Sequence, residues 1–505
     1  MKTLSCATYH DGLNIVEVES VFSRGLPGFN IVGLAGTSIK ESTERVKAAL
    51  NFLNFAFPAQ KITINLSPSD LPKNGSHFDL SIALLIALQK SRKLDKIFVF
   101  GELGLDGSVK NTASLFSLLL FLSIKAPNSK VLVPSEIAQK ASEIQNLEIY
   151  AVSTLNEAIR FFEDDDFRHN CMLKNAHPIL KNVIEIYGQK YLPNSDFKLD
   201  FKDVIGQTRA KRACLIAAVG MHNIIFEGSP GCGKSMCAKR LVYILPPQSL
   251  DEVLSAAAYR SLNMQESDFS SIRAFRSPHH TSTRSALFGG GTSGAKIGEI
   301  ALANGGVLFF DEFVHFSKAI IQSLREPLED HCIHISRVNS KITYETKFCF
   351  IAALNPCPCG NLLSTSLNCR CSDNEIKNYK SRLSEPILDR IDLYVQMSEI
   401  SPDDKADMSS TQMSQMVLKA FKYQKARGQK ELNGKLSDDD VSKYCVLQDE
   451  ANQTLNSAIS RYNLSQRGIK KVLKVARSIA DLDECELISK AHLMEALSYR
   501  TRGVE

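Results

Sequence analysis

The sequence predicts an α/β protein in three parts: an N-terminal α/β domain, a parallel-sheet domain built on a Gly-rich loop, and a C-terminal helical lid. Three observations predict it. Short β-branched runs alternate with helix-period stretches through residues 1–162. An apolar run, NIIFE (223–227), leads into GSPGCGKS (228–235) and then MCAKRLVYIL (236–245), a strand–loop–helix order typical of parallel sheets. After SEISPDDK (398–405) only helical periodicity remains. The expected domains are 1–162, a linker over 163–199 opened by the acidic patch EDDDF, a core over 200–397 and a lid over 398–505.

In the first domain the strand runs are NIVEVESVF (14–22), KITINLS (61–67), KIFVFGEL (96–103) and KVLVP (130–134). Helix patterns fall near 38–54, 79–90 and 135–144. At 505 residues the chain is too long for one hydrophobic core, and 44% apolar with 23% charged residues matches an ordinary globular protein. The greasiest run, LFSLLLFLSI (115–124), falls short of the roughly 18–20 apolar residues that span a bilayer, so a buried helix is expected and no membrane. MKTLSCATYHDG lacks the apolar core of a signal peptide. The 13 cysteines are therefore expected as reduced thiols or metal ligands in the cytoplasm.

GSPGCGKS fits G-x-x-x-x-G-K-[ST] in full. Gly228, Gly231 and Gly233 let the backbone wrap phosphates, with Ser229, Pro230 and Cys232 between them. Met236 lies in the first turn of the helix, whose N-terminus adds its positive end. Lys234 is expected to reach the β- and γ-phosphates of ATP, and the Ser235 hydroxyl to ligate Mg²⁺. GGVLFFDEF (305–313) is an apolar strand ending in two carboxylates, an expensive placement unless they serve chemistry. Asp311 suits Mg²⁺ coordination and Glu312 suits polarising the attacking water. A third apolar strand, FCFIAAL (348–354), runs into Asn355, whose neutral amide can sense the γ-phosphate. In SRLSEPILDRIDLYV (381–395), Arg390 reads either as a finger reaching a neighbouring subunit's nucleotide or as an ion pair with Asp389 or Asp392. The cationic helix SQRGIKKVLKVARSIADL (465–482) carries Arg467, which could bend back to the same nucleotide.

Cys357, Cys359, Cys369 and Cys371 form C-x-C-x₉-C-x-C, which reads as a Zn²⁺ site or as four reduced thiols in a loop. His279 and His280, flanked by Arg273, Arg276 and Arg284, read as a phosphate-contacting loop, a metal pair or a structural element. CIHISRVNSKITYETKFCF (332–350) alternates as a hairpin turning at Val338–Asn339–Ser340. The net charge of +5 is compatible with nucleic acid without arguing for it. Two basic stretches, KAFKYQKARGQKELNGK (419–435) and RYNLSQRGIKKVLKVAR (461–477), are either solvated helix faces or DNA contacts.

Taken together, DFKDVIGQ (200–207), GSPGCGKS, GGVLFFDEF, AALNPCPCG (352–360) and LDRID (388–392) resemble the AAA+ ATPases. FRSPHHTSTRSALFGGG (275–291), GEIALANGGVLFFDE (298–312), SLREPLED (323–330) and NPCPCG are similar to signatures of their magnesium-chelatase-like branch, the YifB/ComM family. The resemblance runs from GLPGFNIVGLAG (25–36) to IADL (479–482). It implies a P-loop parallel-sheet core and a homo-oligomeric, hexameric ring that couples ATP hydrolysis to movement along single-stranded or branched DNA. The family's known role is branch migration in natural transformation. Hairpins at this position in related ring motors point into the channel, which makes Arg337 and Lys341, with His279 and His280, the expected DNA contacts. Glu385 stands where the family usually has Gly, and Ser235 where Thr is also common; neither exchange removes a chemical group.

The N-terminal domain resembles the Lon-protease type. PKNGSHFDL (72–80) and GELGLDGSVKNTASLF (101–116) place His77, beside Ser76, at that family's catalytic serine and Phe116 at its lysine. A serine without a nearby base is not activated, so a non-catalytic DNA-binding or ring-organising module is expected. Two rivals to a DNA motor remain: a chelatase-like ATPase remodelling a protein partner, and a scaffold without turnover, which the presence of Lys234, Glu312 and Arg390 disfavours.

Overall fold

The computed structural model describes residues 2–9, 13–90, 94–142, 144, 146–173, 182–262, 270–290, 297–336, 341–401, 404–462 and 464–500. It divides into two compact units, one of Met1–Lys181 with Ala257–Phe269, the other of Asn182–Ala256 with Ser270–Glu505.

The first unit is built on a seven-stranded mixed sheet. Its strands run in the order Gly28–Val32, Lys61–Ser67, Leu13–Ser23, Lys2–Tyr9, Phe98–Val99, Ser129–Pro134 and Leu147–Val152. Alternation sets the faces: in KITINLS, Ile62, Ile64 and Leu66 point inward and are buried, while the residues between them are half-buried or exposed. The helix Leu115–Lys125 takes up the apolar run and is the buried helix expected of it. KIFVFGEL is not one strand. Phe98–Val99 joins the large sheet and Glu102–Leu103 pairs with Val109–Lys110 in a separate ribbon. Gly101 lies between them, where a Cβ would stand 2.7 Å from Val109 Cγ1, so the chain turns where only glycine fits. The helix expected at 135–144 is a short 3₁₀ turn, Ser135–Ile137, followed by Ala138–Ala141. The 163–199 stretch, expected as a linker, contains the helix Asp165–Asn170 in this unit and, already in the second unit, a hairpin of Ile184–Ile186 with Gln189–Leu192, whose second strand pairs with Gln248–Ser249. Each of these elements is too short to show a period.

The second unit holds a five-stranded, wholly parallel sheet. Its order is Phe275–Arg276, Val307–Phe310, Cys349–Leu354, Ile224–Gly228 and Leu393–Met397. Both faces are covered, so the three central strands are buried along their whole length and read as unbroken apolar runs. Parallel register brings their carboxyl ends to one edge, with Phe310 opposite Ala352 and Glu227 opposite Leu354. The loop after Gly228, the Asp311–Glu312 pair and Asn355 therefore emerge side by side, where open parallel sheets bind ligands.

Helices Ser410–Ala426, Asp438–Tyr444, Asp449–Tyr462, Gln466–Leu482 and Lys490–Ser498 complete this unit. They share one hydrophobic cluster with the sheet, in which Val417, Val475 and Ile479 join Leu215, Ile224 and Leu393. A buried polar network crosses the same seam. Asp392 accepts from the Asn223 N–H (2.8 Å) and from Lys471 Nζ (2.6 Å), and His222 Nε2 bonds Ser478 Oγ (2.7 Å). No described helix is long and apolar enough to cross a membrane.

Candidate nucleotide-binding site

The strand Ile224–Gly228 delivers the chain into the Gly-rich turn, and the helix Lys234–Leu241 leaves it. Gly231 and Gly233 stand at φ 85° and 97°, the left-handed region that curls the loop, and a Cβ on Gly231 would meet nothing within 4 Å. The loop is thus an open cradle rather than a packed turn. Ser229 Oγ is buried there without a partner. Lys234 Nζ bridges the opening, donating to Gly228 O (2.6 Å), Ser229 O (2.9 Å) and Asn355 Oδ1 (3.2 Å). Burial holds its pKa below the ordinary lysine value, while Cys232, Asp311 and Glu227 act the other way. An ammonium part-buried among neutral oxygens, next to an unpartnered hydroxyl, fits a bound polyphosphate. Ser235 Oγ donates to Asp311 Oδ2 (3.0 Å), which places the hydroxyl and carboxylate expected to hold Mg²⁺ in direct contact. Met236 follows, with its side chain exposed.

Glu312 turns sharply off the strand at φ 50° and its side chain is 56% exposed. A non-glycine residue in this region costs on the order of 1 kcal/mol or more, and such strain gathers at functional positions. Here it swings the carboxylate away from the line of the buried strand. Its neighbour is His280, whose Nδ1 lies 3.7 Å from Glu312 Oε2. His280 is packed between His279 (ring centroids 4.1 Å), His315 (6.2 Å) and Phe316 (6.4 Å).

The histidines lie in the irregular stretch between the sheet's edge strand, Phe275–Arg276, and the helix Arg284–Phe288. Arg273, which flanks them in sequence, is not an exposed cation. It is buried, bonding Glu252, Pro246 O and Gly305 O. The signal for His280 was its position after a short strand, and two residues are too few to show one.

Arg390 is 12% exposed and pairs with Glu329, a partner not among those expected for it. Asp389 is taken by Arg500 (2.5 Å) and Asp392 by Lys471 (2.6 Å). Arg467, 42% exposed, pairs with the second oxygen of the same Glu329. The structure thus brings Arg467 to Arg390, not to the partners of Lys234. Arg337 and the turn Val338–Asn339–Ser340 lie outside the described residues. The strands Cys332–Ser336 and Lys341–Glu345 do pair antiparallel as a hairpin, with Lys341 opposite Ser336.

The basic stretches look different once folded. Lys425 bonds the Gln429 and Lys430 carbonyls, Arg427 pairs with Asp481 (2.6 Å), Lys470 with Asp438 (2.6 Å), and Lys474 bonds Leu436 O (2.6 Å). Arg477 is fully buried on Asp481 (3.0 Å). Much of this charge is internal wiring, and Lys419, Lys422 and Lys430 are the exposed remainder of the first stretch. In the N-terminal unit, Ser76 Oγ bonds Glu102, Phe116 is buried, and Lys73 is buried on the Gly33, Leu66 and Pro68 carbonyls. The described contacts place no lysine on Ser76.

Three family models match the chain: "Subunit ChlI of Mg-chelatase" over residues 18–137, "Magnesium chelatase, subunit ChlI" over 200–405, and the ChlI C-terminal model over 407–500. The Competence protein ComM of Haemophilus influenzae is 37% identical over 96% of this chain and 94% of its own. The chain belongs to the YifB/ComM family. A YifB protein of Salmonella typhimurium is also 37% identical, over 96% of this chain and 94% of its own. A local match to an archaeal Lon protease of Archaeoglobus fulgidus, 45% identical over 51 residues, covers 10% of this chain. As a magnesium-chelatase-like AAA+ member, a YifB/ComM protein is expected to use ATP and Mg²⁺, and the contact of Ser235 with Asp311 suits that pair.

Proposed function

We propose that the chain is an ATPase whose subunits form a homo-oligomeric, hexameric ring in the cytoplasm and move single-stranded or branched DNA, as in branch migration during natural transformation. The observation that carries the ATPase is the convergence of Lys234, Ser235, Asp311 and Asn355 at one sheet edge, with Glu312 strained outward beside them. Bound Mg²⁺-ATP supplies a γ-phosphoryl group for transfer to water. Lys234 and the loop backbone hold the phosphates, Ser235 and Asp311 hold the cation, Asn355 orients the water and Glu312 accepts its proton. Arg390 and Arg467, joined through Glu329, serve as a unit at a neighbouring subunit's site. The DNA assignment draws support from the match to a competence protein over nearly the whole chain and from the hairpin that carries Lys341.

The test is ATP hydrolysis with and without single-stranded DNA. Marked stimulation is expected. Stimulation by a protein partner alone would replace this reading with the chelatase-like remodeller, which the chelatase models and the internal pairing of the basic helices favour. In the same assay, Arg337→Ala/Lys341→Ala should weaken DNA binding and flatten its salt dependence with ATP binding intact. Unchanged DNA affinity would remove the hairpin from the DNA path.

A further inference from the structure

Between the end of the strand Cys349–Leu354 and the start of the helix Asp373–Lys380 the chain runs without a regular element. Irregular stretches of this length need something to hold them. A hydrophobic core does not do it here: Leu362, Leu363 and Leu367 all project to solvent, Leu367 at 59% exposure. The four cysteines lie in this stretch, and their sulfurs converge within 4.8 Å of one another. Cys357 Sγ is 3.4 Å from Cys359 Sγ and 3.7 Å from Cys369 Sγ, and Cys359 to Cys369 is 3.6 Å.

These separations decide between chemistries. A disulfide needs about 2.05 Å between sulfurs. A tetrahedral zinc ion with Zn–S near 2.3 Å holds its sulfurs about 3.8 Å apart, close to what is found. An iron–sulfur cluster distributes its thiolates over different irons and spreads them wider than this knot.

The geometry points to a structural Zn²⁺ centre of Cys357, Cys359, Cys369 and Cys371 that braces the nucleotide site. All four positions are filled by protein thiolates, so the ion has no open coordination site and does no chemistry of its own. Its effect is mechanical. Asn355 lies two residues before Cys357. Gly360, at φ 82°, lies so close to Pro230 that a Cβ there would stand 2.7 Å from Pro230 Cδ. The far side of the loop is tied to Glu399, which accepts from Thr365 Oγ1 (2.8 Å) and Ser364 Oγ (2.5 Å). The zinc knot therefore seats one loop against both the phosphate cradle and the water-orienting amide.

The experiment is metal analysis of the full chain purified without added metal or chelator. About one zinc per chain is expected, released in step with titration of the four thiols by a mercurial in the presence of a zinc dye. Cys369→Ser/Cys371→Ser should reduce the bound zinc to under about one tenth of that, while a control, Cys485→Ser, retains it. Should the double variant fail to fold, the mercurial titration of the unaltered protein still decides the matter. Absence of zinc, stoichiometric iron with visible absorbance, two disulfides by mass, or zinc retained in the double variant would each overturn the assignment. None of these readouts depends on ATP turnover, so the zinc centre stands or falls separately from the proposed motor.

Discussion

Glu312 shows how much one backbone angle can carry. The sequence put it next to Asp311 at the end of an apolar strand, and the left-handed turn separates the two, leaving Asp311 on Ser235 and Glu312 beside His280. Glu312→Gln keeps the shape and removes the proton acceptor. Turnover should fall by about 10²–10⁴-fold with ATP binding retained, read by single-turnover hydrolysis and filter binding. His280→Ala leaves the phosphate loop untouched but removes the carboxylate's neighbour. An approximately tenfold lower kcat with unchanged nucleotide affinity is expected, and a change confined to DNA affinity would return His280 to a DNA-contacting role. Lys234, Ser235 and Asp311 were legible because their motifs are local. The His280–Glu312 contact was not, since it depends on the register of a two-residue edge strand.

At the scale of elements, the helix Gln466–Leu482 is the informative case. Its basic residues suggested a nucleic-acid face, yet their charge is largely spent on the fold's own acids. Asp481, fully buried, receives Arg477, Arg427 and Asn433 Nδ2 (2.7 Å). Asp481→Ala leaves two guanidinium groups facing a vacated partner and should cost about 3–5 kcal/mol, read as a lower urea midpoint. A change under about 1 kcal/mol would mean that water already shares this network. Helical periodicity is visible in a sequence, but the partner of each charged side chain is not. Apart from Arg477 and Asp481, one helical turn apart, the paired charges here lie far apart along the chain, and only packing chooses among them. Arg390 illustrates this, with Asp389 and Asp392 adjacent in sequence and Glu329 chosen in space.

Across the molecule, pH reports on buried groups in both units. Burial lowers the His77 pKa to about 4 from an ordinary 6.5, with its Nε2 held 2.9 Å from the Ala7 carbonyl oxygen. The unfolded chain therefore binds a proton that the folded chain does not between these values. His77 contributes no pH dependence above 6.5, and stability falls as pH drops from 6.5 towards 4. Asp392 acts lower. Burial alone would raise its pKa, but Lys471 and His222 hold it well below the ordinary 3.8, so its share of stability is present above that value and lost beneath it. Urea midpoints at pH 7 and 5 should differ for the unaltered chain and less for His77→Gln; an equal difference would place the titration elsewhere.

Local chemistry was enough to determine the α/β class, the Gly-rich loop between strand and helix, the carboxylate and amide strand ends and the cysteine spacing, because each is a short pattern that physical chemistry permits in few ways. Assembly into a parallel sheet then decided the rest. It brought Asn355 to Lys234, His280 to Glu312, both arginines to Glu329 and four sulfurs to one point. The side-chain pairings among these join residues from separate elements, and no periodicity along a chain records which of them will meet.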